Sequence, residues 1–320
     1  MSLEFLPNTA PLRTPEEVTF GHCPSCGGPG LESVSNACDL ENPESPARFS
    51  LRYCDPCGIG FSEPPLDTQA LASYYPDQYE AYVPKTGFAA VLQKWKYSSD
   101  LRLVKKQAHG AAATLYEVGA GRGEFLAQAR KAGYLVSGLE PSPHGRQAAL
   151  THWGMVLDAG YLGETQLPRG NTVIVARHVL EHTGNPCAAL HSLWDGLKPG
   201  GQLLLKVPLL DGWEFRQFGK LWGDLDLPRH RCHFTGRGIR ELLRKLGFVD
   251  ITVRRELVPA SLARSIGFLE RFDSRLSVRR SAALFSRVPW LMQLTLCQFV
   301  VLLLSPWGAG RAVIHARRPA

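Results

Sequence analysis

Three glycines at every second position, Gly119, Gly121 and Gly123, lie in "YEVGAGRGEFL", between an apolar run and an amphipathic one. Glycine at that spacing lets backbone N–H groups come close to a small ligand. Seventeen residues after Gly123, Glu140 stands in "GLEPS", where the next strand should end. A carboxylate there can accept two hydrogen bonds from the hydroxyls of a ribose. A dinucleotide loop would carry a third glycine where Glu124 stands, and a P-loop would need Gly-Lys-Ser/Thr, which the chain lacks. The pattern predicts a ribose-bearing cofactor without a pyrophosphate.

Cys23 and Cys26 in "CPSCGG" and Cys54 and Cys57 in "CDPCGIG" form two C-x2-C pairs with 27 residues between them. A glycine after each pair permits the tight turn that brings backbone N–H groups to sulfur. Four sulfurs at that spacing predict a closed tetrahedral zinc site, structural because no coordination position stays open. Cys38, Cys187, Cys232 and Cys297 have no partner at ligand spacing and read as packing residues.

"RHVLEH" gathers His178, Glu181 and His182. His178 and His182 are four apart, so on a helical turn they share a face. A neutral imidazole suits a general base, and a neighbouring carboxylate would orient it. His182 is the first candidate, oriented or assisted by Glu181; the competing reading has both shaping the loop as hydrogen bonders. His230 and His233 in "LPRHRCHF" form a second pair. They are expected to contact substrate rather than metal, because no carboxylate accompanies them at fixed spacing. "LASYYPDQYEAY" holds Tyr74, Tyr75, Tyr79 and Tyr82. These either cover a seam between modules or close over the site, with Tyr79 the candidate substrate contact.

Such residues need a scaffold that brings loops from several strands to one edge. Residues 111–258 alternate short apolar strands ("ATLYEVGA", "YLVSGLEP", "NTVIVARHV", "QLLLKVP", "DITVRREL") with amphipathic helices. That order predicts an α/β fold, a mostly parallel sheet covered on both faces. Around it the chain divides into a zinc-binding module at 1–64, a helical connector at 65–110, an insert at 259–309 and a final strand at 310–320.

"YEVGAGRGEFL", "GLEPS", "ARHVLEHTGNPCAAL" and "LKPGGQLLLKVP", in this order, resemble the successive motifs of class I S-adenosylmethionine-dependent methyltransferases. The N-terminal "CPSCGG…YCDPCGIGFSEPP" resembles the zinc module that precedes some of them, including sugar methyltransferases. The resemblance implies a Rossmann-like seven-stranded sheet and methyl transfer from S-adenosyl-L-methionine. It places Glu117 near the methionine amino group, and Gly119, Ala120, Gly121 and Gly123 under the cofactor. Glu140 would hold the ribose, and Arg177 and His178 would meet the methionine moiety. Two departures stand out: Asn171 and Thr172 replace an aromatic and an aspartate, and Asp158 fits only loosely as the acid beside adenine. The implied acceptor is an oxygen or carbon of a sugar, glycoconjugate or lipid-linked molecule. The alternatives are RNA, a small lipophile such as a quinone precursor, or a scaffold that binds cofactor without turnover.

Charge is unevenly placed. Residues 259–320 hold nine arginines against Glu270 and Asp273, a surplus of 9 − 2 = 7, so the remaining 27 basic and 27 acidic residues balance. A neutral body argues against a nucleic-acid substrate. "WLMQLTLCQFVVLLL", 290–304, is almost wholly apolar, yet its 15 residues fall short of the ~20 a spanning helix needs. A span would also strand the last strand across the membrane. The insert therefore lies on an anionic bilayer or packs as a buried or dimeric helix pair. The first residues show no basic-then-apolar signal pattern, so the expected location is cytoplasmic, with the insert on the inner face of the membrane.

Overall fold

Apolar runs of strand length, each followed by a capped amphipathic helix, decide the layout. The computed structural model describes residues 20–75, 84, 86–105 and 113–320. β1 (Leu31–Ala37), β2 (Phe49–Cys54) and β3 (Ile59–Glu63) come first, then α1 (Thr68–Ala72) and α2 (Gly87–Lys105). The core runs β4 (Thr114–Val118), α3 (Glu124–Lys131), β5 (Leu135–Leu139), α4 (Pro143–Trp153), β6 (Asn171–Arg177), α5 (Pro186–Gly196) and β7 (Leu197–Pro208). It continues through α6 (Trp213–Phe218), β8 (Cys232–Phe234), α7 (Gly236–Lys245) and β9 (Val249–Glu256). Three further helices, α8 (Pro259–Phe272), α9 (Leu276–Ser286) and α10 (Trp290–Leu304), precede β10 (Arg311–Arg317).

The large sheet has the order β5-β4-β6-β7-β10-β9. β5, β4, β6 and β7 are parallel, and β10 runs antiparallel between β7 and β9. Alternate residues point to opposite faces. Leu115, Val173, Val175 and Leu204 pack with Phe125 and Leu126 on one side. Tyr116, Ile174, Leu203 and Leu205 pack with Leu190, Leu193 and Ile239 on the other. Each such aliphatic side chain, once buried, contributes about 1.5–3 kcal/mol. α4 and α5 start where the sequence signals a start: Ser142 and Asn185 cap their first turns, each followed by proline.

The sheet departs from expectation in strand number. Among the described residues it has six strands, not seven; Asp158 makes only a single bridge to Leu139 at the β5 edge. Asn171 and Thr172 are structural at the start of β6. Asn171 Nδ2 donates to the carbonyls of Pro168 and Gly196, while Thr172 N donates to Thr114 Oγ1.

The N-terminal module does not stand alone. Its sheet has the order β1-β2-β3-β8, so a core loop supplies the fourth strand. Ile59, Gly60 and Phe61 pair with Phe234, His233 and Cys232. Arg229, which is buried, donates to the buried Asp39 carboxylate at 3.0 Å across the same joint.

Candidate active site

The cleft takes shape at the carboxyl end of β4. Gly119, Gly121 and Gly123 have φ of +70°, +54° and +75°, a region that penalises any Cβ. A Cβ on Gly119 would fall 2.5 Å from Val179 Cγ2, whereas a Cβ on Gly121 would project into open space. Glu140 latches this loop: its Oε2 accepts from Gly121 N at 2.7 Å and its Oε1 from Ser142 N at 2.8 Å. Ala120, Pro141, His144, Tyr161 and Leu162 complete this wall. The room over Gly121 and the anchored carboxylate fit a ribose-bearing cofactor.

Glu117 stands near the carboxyl end of β4. It is fully buried behind the cleft lining, with Oε1 accepting from Arg177 Nη2 at 2.6 Å. Burial pushes its carboxyl up to about 7 against the opposing pull of Arg177. The Arg177 guanidinium lies over the rings of Tyr97 and Phe125, 4.4 and 4.3 Å from their centroids, and forms part of the cleft floor. Of this pair, Arg177 lines the cleft and Glu117 does not. Asp158 is also turned away, its carboxylate accepting from Tyr116 at 2.8 Å.

Opposite the loop, β6 runs into the 3-10 turn Leu180–His182. His178 sits at φ +56°, a strained backbone for a residue with a Cβ. Its Nδ1 lies 3.2 Å from Glu181 Oε1. Glu181 therefore partners His178, and not His182 as the sequence reading had it. Burial pushes the Glu181 carboxyl up to about 8, and its Oε2 has no hydrogen-bond partner among the described residues.

His182 Nδ1 lies 2.8 Å from the Tyr75 hydroxyl and 3.0 Å from the Arg229 carbonyl. The Tyr75 hydroxyl can either accept from Nδ1–H alongside the carbonyl or donate to a bare Nδ1. Donation to the carbonyl leaves Nε2 with the lone pair; acceptance from Tyr75 leaves Nε2 protonated. Burial holds His182 below the ordinary histidine range. The His230 ring packs 4.8 Å away, and its Nδ1–H donates to the Asp224 carbonyl at 2.8 Å. Burial, then His182, pushes His230 down to about 3. Ligand atoms of Glu181, His182 and His230 lie within 4.8 Å of one another; His182 and His230 line the cleft, and Glu181 lies buried behind them.

Charged residues brace this wall. Asp226 accepts from Arg229 Nε at 3.1 Å and from Arg264 at 3.3 Å, and Asp224 accepts from Arg311 Nε at 2.7 Å. The cleft encloses about 2180 Å³ between the glycine loop, the 3-10 turn, the 224–231 loop and the N-terminal sheet. His233 does not reach it. It sits on β8, 2% exposed, behind the lining. Tyr79 lies outside the described residues. Asp226, Arg229 and Arg264 line the cleft without a pattern in the sequence that marks them, and Tyr75, one of the tyrosines expected either to cover a seam or to close over the site, lines it too.

The sulfur-bearing groups of Cys23, Cys26, Cys54 and Cys57 converge within 4.8 Å of one another. Cys26 Sγ lies 3.7 Å from Cys54 Sγ and accepts from Gly28 N at 3.3 Å. Four thiolates with backbone donors suit a tetrahedral divalent ion.

Residues 95–253 match the family model described as a methyltransferase domain. Among solved structures, the chain is similar to phosphoethanolamine N-methyltransferase 2 of Haemonchus contortus bound to S-adenosyl-L-methionine. The identity is 16% and the TM-score 0.51, over 82% of this chain and 62% of that one. The same enzyme with phosphomonomethylethanolamine and S-adenosylhomocysteine aligns at 15% identity and TM-score 0.51, over 92% and 70%. A methyltransferase of Thermotoga maritima aligns at 16% identity and TM-score 0.48, over 78% and 98%. No curated protein matches in sequence.

Proposed function

We propose that this chain, an S-adenosylmethionine-dependent methyltransferase by the domain it carries, methylates an oxygen or carbon of a sugar, glycoconjugate or lipid-linked acceptor. The observation that carries this reading is the cleft. At about 2180 Å³ it exceeds the roughly 300–1,000 Å³ of an ordinary small-molecule pocket, leaving room for a large acceptor beside the cofactor. Its far wall is set with imidazole, carboxylate and guanidinium groups, the partners a polyhydroxylated molecule uses.

S-Adenosylmethionine, when bound, supplies a methyl group open to in-line displacement. The chain's own residues bind, align and deprotonate. Gly119–Gly123 and Glu140 hold the ribose side, and Arg177 the methionine end. His182 is the base: neutral through burial, and with Nδ1–H donated to Arg229, it presents Nε2 to the acceptor proton. The His178–Glu181 pair shapes the turn that carries it. Cys23, Cys26, Cys54 and Cys57 would hold a structural zinc ion, which would brace the module whose Asp39 reaches Arg229.

The test is transfer of labelled methyl to a panel of nucleotide sugars, glycolipids, transfer RNA and quinone precursors. Label in a sugar-bearing acceptor, lost in His182→Ala, is expected. Label confined to RNA or to a quinone precursor would overturn the acceptor class.

A further inference from the structure

The insert leaves an apolar surface that nothing among the described residues covers. α10 buries only a narrow stripe, Cys297 and Val301, against a small cluster with Trp213 and Leu262. The rest of its circumference faces outward: Trp290 is 52% exposed, Leu296 49%, Phe299 68%, Leu303 63% and, just beyond, Trp307 62%. The segment Trp290–Trp307 is long and apolar enough to cross a membrane by length and composition. Topology forbids it. β10 begins at Arg311 and pairs with β7 and β9, so one crossing would separate β10 from its own sheet.

The charge around this surface points to its cover. Residues 259–309 hold six arginines against two acids, a surplus of 6 − 2 = 4. Both acids are engaged: Glu270 accepts from Ser286, and Asp273 from Arg275. Arg271, Arg279, Arg280 and Arg287 are exposed on the same helices or directly after them. In a two-fold dimer the same positive surface would face itself. An anionic bilayer supplies the opposite sign, accepts the aliphatic middle of the helix, and suits tryptophans at both ends at headgroup level.

The insert also builds the cleft. Ser261 of α8 donates to Asp224 Oδ2 at 2.7 Å, and Arg264 donates to Asp226 at 3.3 Å, beside His230. We propose that residues 259–309 dock in the plane of an anionic lipid surface and present the cleft to an acceptor whose lipid tail stays in the bilayer. The docking stands on the surface alone; the lipid-linked acceptor rests on the function proposed above.

Flotation of the full chain with phosphatidylcholine vesicles, with and without a quarter phosphatidylglycerol, tests it. The protein should float with the anionic vesicles and far less with the neutral ones or in high salt. Leu296→Glu with Phe299→Glu should lower vesicle affinity at least tenfold. Arg279→Ala with Arg280→Ala should lower it about 25-fold at low salt, at roughly fivefold per arginine near the surface. S-Adenosylmethionine binding, titrated on the same samples, should be unchanged in both variants; this readout separates a failed docking surface from a failed methyltransferase reading. Wild-type protein that binds the cofactor but floats with neither vesicle would overturn the proposal. So would a dimer that the Leu296/Phe299 variant converts to monomer without any vesicle binding, which would assign the surface to a second copy.

Discussion

The two walls of the cleft are built in opposite ways. The cofactor wall comes mainly from two short stretches, 118–123 and 139–144, with Tyr161 and Leu162 beside them, and works mainly through backbone: glycine φ angles, amide donors and one carboxylate that latches the loop. The acceptor wall is assembled from distant parts of the chain. Arg229 and Asp39 are 190 residues apart, Tyr75 and His182 are 107 apart, and Arg311 and Asp224 are 87 apart. A wall made of backbone fits a ligand common to a whole fold. A wall made of long-range ion pairs fits one acceptor and is the costlier to disturb, because each buried charge depends on its partner.

Mutations should separate the walls. His182→Ala should cut turnover by on the order of 10²–10⁴ while leaving cofactor affinity unchanged, as single-turnover kinetics and calorimetry would read. Equal loss of both would place His182 in the cofactor wall. Arg229→Ala strands Asp39 and Asp226 in the interior and should cost about 3–5 kcal/mol of stability in denaturant unfolding. A near-neutral result would mean that water or another cation compensates. Glu140→Ala should weaken S-adenosylmethionine binding by roughly 1.5–3 kcal/mol, the worth of charge-assisted hydrogen bonds, with little effect on the acceptor wall.

The smallest effect is in pH. Glu117 and Glu181, raised by burial to about 7 and about 8, hold protons in the fold that the unfolded chain has already released. Their stabilising contribution is complete below the ordinary carboxylate range and is lost as pH rises through those values. His182, His230 and His233 act in the opposite sense. Burial lowers them, so stability rises with pH until the ordinary histidine value near 6.5 is passed. Between about pH 6.5 and 8 these histidines no longer contribute, and the two glutamates should pull the melting temperature down. Glu181→Gln should flatten the upper part of that fall; an unchanged slope would show that Glu181 ionises elsewhere.

What the sequence displayed follows the same division. The glycine loop, Glu140 and the paired cysteines are local patterns, and each sits where its spacing implied. The partner of Glu117, Arg177, comes from the neighbouring strand, and no pattern within β4 announces that pair. Glu181 was assigned to His182 by adjacency, but the left-handed turn at His178 brings the other imidazole to it. His233 keeps its ring beside His230, centroids 6.0 Å apart, but its place on β8 holds it behind the cleft lining. The clue available in "WGDLDLPRHR" was its density of acids among arginine and histidine, which signals ion pairs without naming their partners.

Calorimetric titration with S-adenosylmethionine, with S-adenosylhomocysteine and NAD alongside, tests the central claim most directly. Micromolar binding of the first two and none of NAD is the predicted result. Folded protein that takes up neither of the first two would contradict the reading of the glycine loop and Glu140 as a cofactor wall.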